Sequence, residues 1–170
     1  MADSLELGPA AAIEAESVGV PGQRRFRLRA MNNAGTIATV WLEKEQLVAL
    51  GEAIDTTLRD EGYRFRQLAA DDQDLPAVLP LSRGSEIQAA ELSLGLNRDS
   101  GRVVLIGADG QAGEDDTTTV TVEIDFYRAH LLRQQITQVV SAGRPLCPLC
   151  TAPVDLSGHV CVRTNGHHPH

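Results

Sequence analysis

The chain has 170 residues, 42% of them hydrophobic and 22% charged, which suits a globular domain able to bury a core of its own. Its formal net charge of −8 disfavours a surface built to neutralise phosphates, and no apolar run approaches the roughly 20 residues of a membrane-crossing helix. Aromatic residues make up only 4%, so the core has to be built from Leu, Val, Ile and Ala.

The opening stretch, MADSLELGPAAAIEAESVG, has acids and no Lys or Arg. It lacks the basic and apolar regions of a signal peptide, and the expectation is a soluble, cytoplasmic protein. The first predicted element is residues 11–18, short and partly alternating. GVPGQ follows as a tight turn, with Pro21 presetting φ and Gly22 free to take a positive φ. RRFRLRA then places Phe26, Leu28 and Ala30 on one face and Arg25, Arg27 and Arg29 on the other. That period of two predicts a half-buried strand with a solvated arginine stripe. NNAG is a turn and TIATVWL a further strand. Leu47, Leu50, Ile54 and Leu58 fall at steps of three and four, which predicts an amphipathic helix over 43–60.

A linker with two prolines, LAADDQDLPAVLPLSRG, follows, with YRFRQL before it as a candidate short strand. The order then repeats. EIQAAELSLGL reads as a strand, NRDSG as a turn, and RVVLIGA as a strand dense enough to be buried on both faces. DGQAGEDD reads as an acidic loop and TTTVTVEI as a β-branched strand. Ala129, Leu132, Ile136 and Val140 predict a helix over 125–142, with Asp125 as its N-cap and Gly143 and Pro145 to stop it. Leu42, Leu47, Leu50, Ile54 and Leu58 match Ile124, Ala129, Leu132, Ile136 and Val140 at a separation of 82 residues. The expected fold is α+β: an antiparallel sheet of about six strands from two βββα repeats (about 11–60 and 86–142), with helices on one face. Residues 1–144 form that domain and 145–170 a separate tail.

The tail holds Cys147, Cys150 and Cys161, all the cysteines of the chain, and His159, His167, His168 and His170, four of its five histidines. An odd cysteine count fits a disulfide framework poorly, and in a reducing compartment clustered cysteines bind metal or do redox work. Cys147-Pro-Leu-Cys150 has the two-residue gap that lets two thiolates converge on one ion. Cys161 supplies a third, and Cys₃His is a standard structural zinc set. The fourth ligand is His159, which needs a turn at Gly158 to face the same way as Cys161, or His167, which follows the turn Asn165-Gly166, with His168 and His170 as further alternatives. The competing readings of the motif are a redox dithiol, a coincidental surface cluster, and a site with an open fourth position that acts catalytically. Glu114-Asp115-Asp116 reads as a solvated turn and His130 as a partly exposed structural residue. Arg25, Arg27 and Arg29 are candidates for binding an anion.

GVPGQRRFRLRA, LEKEQLVALGEAID and AGRPLCPLC…GHVCVRTNGH together resemble the family called domain of unknown function 3090, over nearly the whole chain. Thr151 and Val162 depart from its pattern, and neither removes a candidate ligand. The resemblance implies a largely actinobacterial family with a C-terminal Cys/His cluster. Its genes often lie near those for histidine-phosphatase-like and kinase-like proteins. Three functions follow as expectations. The first is a non-enzymatic, zinc-stabilised binding or adaptor module with a protein partner. The second is a phosphate-handling or hydrolytic enzyme. The third is nucleic-acid binding through the knuckle beside Arg144 and Arg163, against which the net charge and the scarcity of aromatics weigh.

Overall fold

The computed structural model describes residues 3–20, 22–65, 79–82, 84–110, 117–142, 147–150, 154 and 160–161. The elements run β1 (Ser4–Val18), β2 (Arg25–Asn32), β3 (Ile37–Leu42), α1 (Lys44–Asp60), β4 (Ser85–Asn97), β5 (Arg102–Asp109), β6 (Thr119–Ile124) and α2 (Phe126–Ser141). The expected α+β order is therefore present in both halves. Tyr63 to Phe65 form no strand. The remainder of YRFRQL, the carboxylates at 114–116, and Gly143 and Pro145 lie outside the described residues.

The sheet is mostly antiparallel, and it closes into a six-stranded barrel in the order β1-β2-β3-β4-β5-β6. Closure comes from two parallel pairs, β3 with β4 and β6 with β1. Each half contributes an antiparallel β-meander, and the parallel seams join the halves. β1 begins seven residues before the expected strand because its first part, which includes Gly8 and Pro9, pairs with β6. Closing the sheet leaves no exposed row of unpaired backbone groups among these strands.

The hydrogen-bond registers of the halves coincide. Phe26 faces Leu42 on the β2–β3 pair as Val103 faces Ile124 on the β5–β6 pair. The long strands β1 and β4 each break register with their antiparallel neighbours, between Ala10 and Ala12 and between Ala89 and Glu91. Such a bulge bends a strand sharply enough to turn a barrel corner. The bulges are held by matching helix residues. Gln46 Nε2 donates to the carbonyls of Ala89 and Ala90 at 3.3 and 3.2 Å, and Arg128 Nε donates to that of Ala11 at 3.4 Å. Each helix thus packs on the long strand of the opposite half.

Both helices begin where expected. Gln46 accepts from the Glu43 N–H at 2.8 Å, and Asp125 caps α2 by accepting from the Arg128 N–H at 2.7 Å. Leu47, Leu50, Ile54 and Leu58 are buried, and so are their counterparts Ala129, Leu132 and Ile136, with Val140 partly covered. Gly51 lets the helices meet closely, since a Cβ there would lie 3.2 Å from Ile136 Cγ2. One expectation is corrected. β5 is not buried on both faces: Val103 and Leu105 point inward, while Ile106 is 38% exposed. A barrel strand has one inner and one outer side, and neither helix covers the outer side of β5 at Ile106.

Candidate metal centre

Cys147 to Cys150 form a turn just past α2. Pro148 fixes φ and leaves the following N–H groups free to face back. The Cys150 N–H, and next the Leu149 N–H, point at the Cys147 sulfur. Against the opposing effect of burial, and with help from the Cys150 and Cys161 thiols, they bring the Cys147 thiol down to about 6. The shift favours the Cys147 thiolate, the form that binds a metal.

Cys161 folds back onto this turn. Its Sγ lies 3.7 Å from Cys147 Sγ, and the sulfurs of Cys147, Cys150 and Cys161 all lie within 4.8 Å of one another. Sulfurs at the corners of a tetrahedron around an ion, with metal–sulfur bonds of about 2.3 Å, stand about 3.8 Å apart. The Cys147–Cys161 pair stands at that spacing, and the three sulfurs are close enough together to hold one metal ion between them. Cys147 is buried and the other two are half-buried. His159, His167, His168 and His170 lie outside the described residues, as do Arg144 and Arg163.

The structure places the arginine stripe differently from the solvated face expected. Arg29 is buried, at 3% exposure. Its guanidinium donates to Glu14 at 2.9 Å, to the Ser82 carbonyl at 3.0 Å and to the Pro80 carbonyl. Arg27 donates to Glu16 at 2.7 Å. Arg25 lies over the Trp41 ring at 4.2 Å and donates to Gln88. The physical reason is register: β1 pairs Glu14 with Arg29 and Glu16 with Arg27 directly across the strands, so acid meets base on the outer face. The alternation of Glu14 and Glu16 before the turn with Arg27 and Arg29 after it was the signal in the sequence. Burial, then the neighbouring Glu16, raises the Glu14 carboxyl above its ordinary value. Burial also raises Glu16, but the hydrogen bonds from Arg27 and Glu14 and the charges of Arg27 and Arg29 outweigh it and bring Glu16 below.

A third cluster was not anticipated. Phe65 stacks on His130 at 4.3 Å and on Tyr127 at 5.9 Å, and Tyr63 meets Phe126 edge-on at 5.8 Å. His130 Nε2 is buried and has no hydrogen-bond partner among the described residues. Only contacts between residues far apart in the chain assemble this group, and no local period announces it.

The sequence pattern of a family described as protein of unknown function, DUF3090, matches residues 6–161. The chain belongs to the DUF3090 family. The match spans both halves of the barrel and ends on Cys161, so it takes in the whole triad. No curated protein matches the chain. For this DUF3090 chain the fold is the duplicated barrel and the candidate site is a Cys₃ metal site. No helix among the described residues is long and apolar enough to cross a membrane.

Proposed function

We propose that this DUF3090 chain is a zinc protein whose metal is structural, and that its tail serves as a non-enzymatic binding module for a protein partner. One observation carries the reading: three sulfurs lie within 4.8 Å of one another in a segment with few apolar residues to fold around. Zinc is the metal that such a soft, thiolate-rich set favours. His159 or His167 completes the set. Leu149, at 51% exposure on the knuckle turn, offers an apolar contact to a partner. Within the described residues, the carboxylates that meet Arg27 and Arg29 support a structural role for the stripe over an anion-binding one.

Metal binding in comparable small units supplies on the order of 10–16 kcal/mol of folding free energy. The purified chain is expected to carry one zinc. Chelation is expected to erase the dispersed NMR signals of the tail and leave those of the barrel in place. Replacing His159 and His167 singly by Ala identifies the fourth ligand as the one whose loss weakens zinc binding. A chain that takes up no zinc, or a tail equally ordered without it, overturns the proposal.

A further inference from the structure

The matching halves create two equivalent grooves. One, of about 390 Å³, lies between α2 and β1; the other, of about 570 Å³, lies between α1 and β4. Corresponding residues line them: Arg128, Leu131, Leu132 and Gln135 over Ala12 to Glu14 in the first, and Gln46, Ala49, Leu50 and Ala53 over Glu91 to Ser93 in the second.

The first groove has an occupant. Leu79, from the segment that follows α1, is buried in its wall. Arg29 straps that segment to the barrel through the Pro80 and Ser82 carbonyls. Gly84 ends the strap at a φ of +62°, where a Cβ would lie 2.2 Å from the Ile37 carbonyl oxygen. In the second half the position of Arg29 belongs to Ile106, which faces Ser93 and Thr121 as Arg29 faces Glu14 and Thr39. Ile106 is exposed, and no segment among the described residues lines the second groove besides α1 and β4 themselves.

The segment that follows α2 is the tail. In the 82-residue register that aligns the helices, Val160 falls on Val78, Cys161 on Leu79, Thr164 on Ser82 and Gly166 on Gly84. Val160 is 92% exposed, a β-branched apolar side chain in water. We propose that the groove between α1 and β4 is the docking site of this chain's own tail, with the stretch around Val160 lying there as the strap around Leu79 lies in the first groove and the Cys161 sulfur left to the metal centre. The walls are apolar where Val160 would sit, at Ala49, Ala53 and Leu92. Charge matches as well: Glu91 is exposed on the groove wall, and Arg163 follows Val160 by three residues. Docking ties the knuckle to the barrel and covers the remaining groove. It goes beyond the proposed function, which concerns the metal of the tail and its protein partner.

The test is methyl and amide NMR on the zinc-loaded full chain. Contacts are expected between the Val160 methyls and those of Ala49 and Ala53, with slowed amide exchange across 90–94. Val160→Asp and, from the other wall, Ala53→Glu should each remove those contacts. Each should also speed exchange at 90–94 on the order of tenfold, the effect of one buried valine. Zinc content is read separately on each variant. Loss of the contacts with zinc retained supports docking, whereas a wild-type chain without zinc counts against the metal reading alone. Unchanged contacts and exchange at 90–94 in both variants overturn the docking. So do contacts that appear only between differently labelled molecules, which would assign the groove to a second copy.

Discussion

Arg29 is the residue on which the outer face of the barrel turns. It is buried, it faces Glu14 across the strands, and it holds two carbonyls of the strap. Truncating it to Ala leaves those acceptors without a donor, and the expected loss of unfolding free energy is about 3 kcal/mol, measured by denaturant titration. Glu14 and Glu16 give the same contact a pH signature. Glu16 has a folded pKa below its ordinary value, so the stability it contributes is present above its unfolded pKa and lost as pH falls through the lower folded value. Glu14 is raised, so acidification through its folded pKa works in the opposite direction and comes first. Denaturation midpoints are therefore expected to hold steady or rise slightly on entering the acid range and then fall. Glu16→Gln should flatten the later fall, and an unchanged acid limb would contradict the assignment. The arginine alternation is legible in the sequence, but the burial of Arg29 is not. Pairing across strands depends on register, which a single strand does not display.

At the scale of elements, legibility followed locality. Both helices were readable, caps included, because the period of their apolar residues and the Asp125 cap are local features. The first part of β1 is not legible because Gly8 and Pro9 look like breakers until β6 is beside them. β5 was read as buried on both faces because an unbroken apolar run does not say which side faces water. The Cys₃ cluster was readable because the two-residue gap fixes local geometry, while the two matching grooves depend on contacts that join the halves. Two substitutions test these elements. Gly84→Ala forces a Cβ against the Ile37 carbonyl at a positive φ, and a destabilisation of about 2 kcal/mol or more is expected from the melting temperature. Gln46→Ala removes the bonds to the β4 bulge and should cost on the order of 1 kcal/mol. A neutral outcome for both would mean that strap and bulge contribute little.

At the scale of the whole molecule, the halves are interdependent. Their seams are the parallel β3–β4 and β6–β1 pairs, and each helix packs on the long strand of the other half. Residues 1–84 expressed alone are therefore expected to be unfolded as a monomer and to gain structure only by pairing with residues 85–170 or with a second copy. A folded monomeric half, seen by circular dichroism and sedimentation, would contradict this. The barrel carries its own core, and Cys147, Cys150 and Cys161 bring their sulfurs within 4.8 Å of one another. X-ray absorption at the zinc edge on the purified full chain tests the metal centre most directly. The proposed zinc site predicts one zinc per chain with three sulfur neighbours at about 2.3 Å and one nitrogen at about 2.0 Å. A chain without zinc, or a zinc shell of nitrogen and oxygen alone, would contradict it.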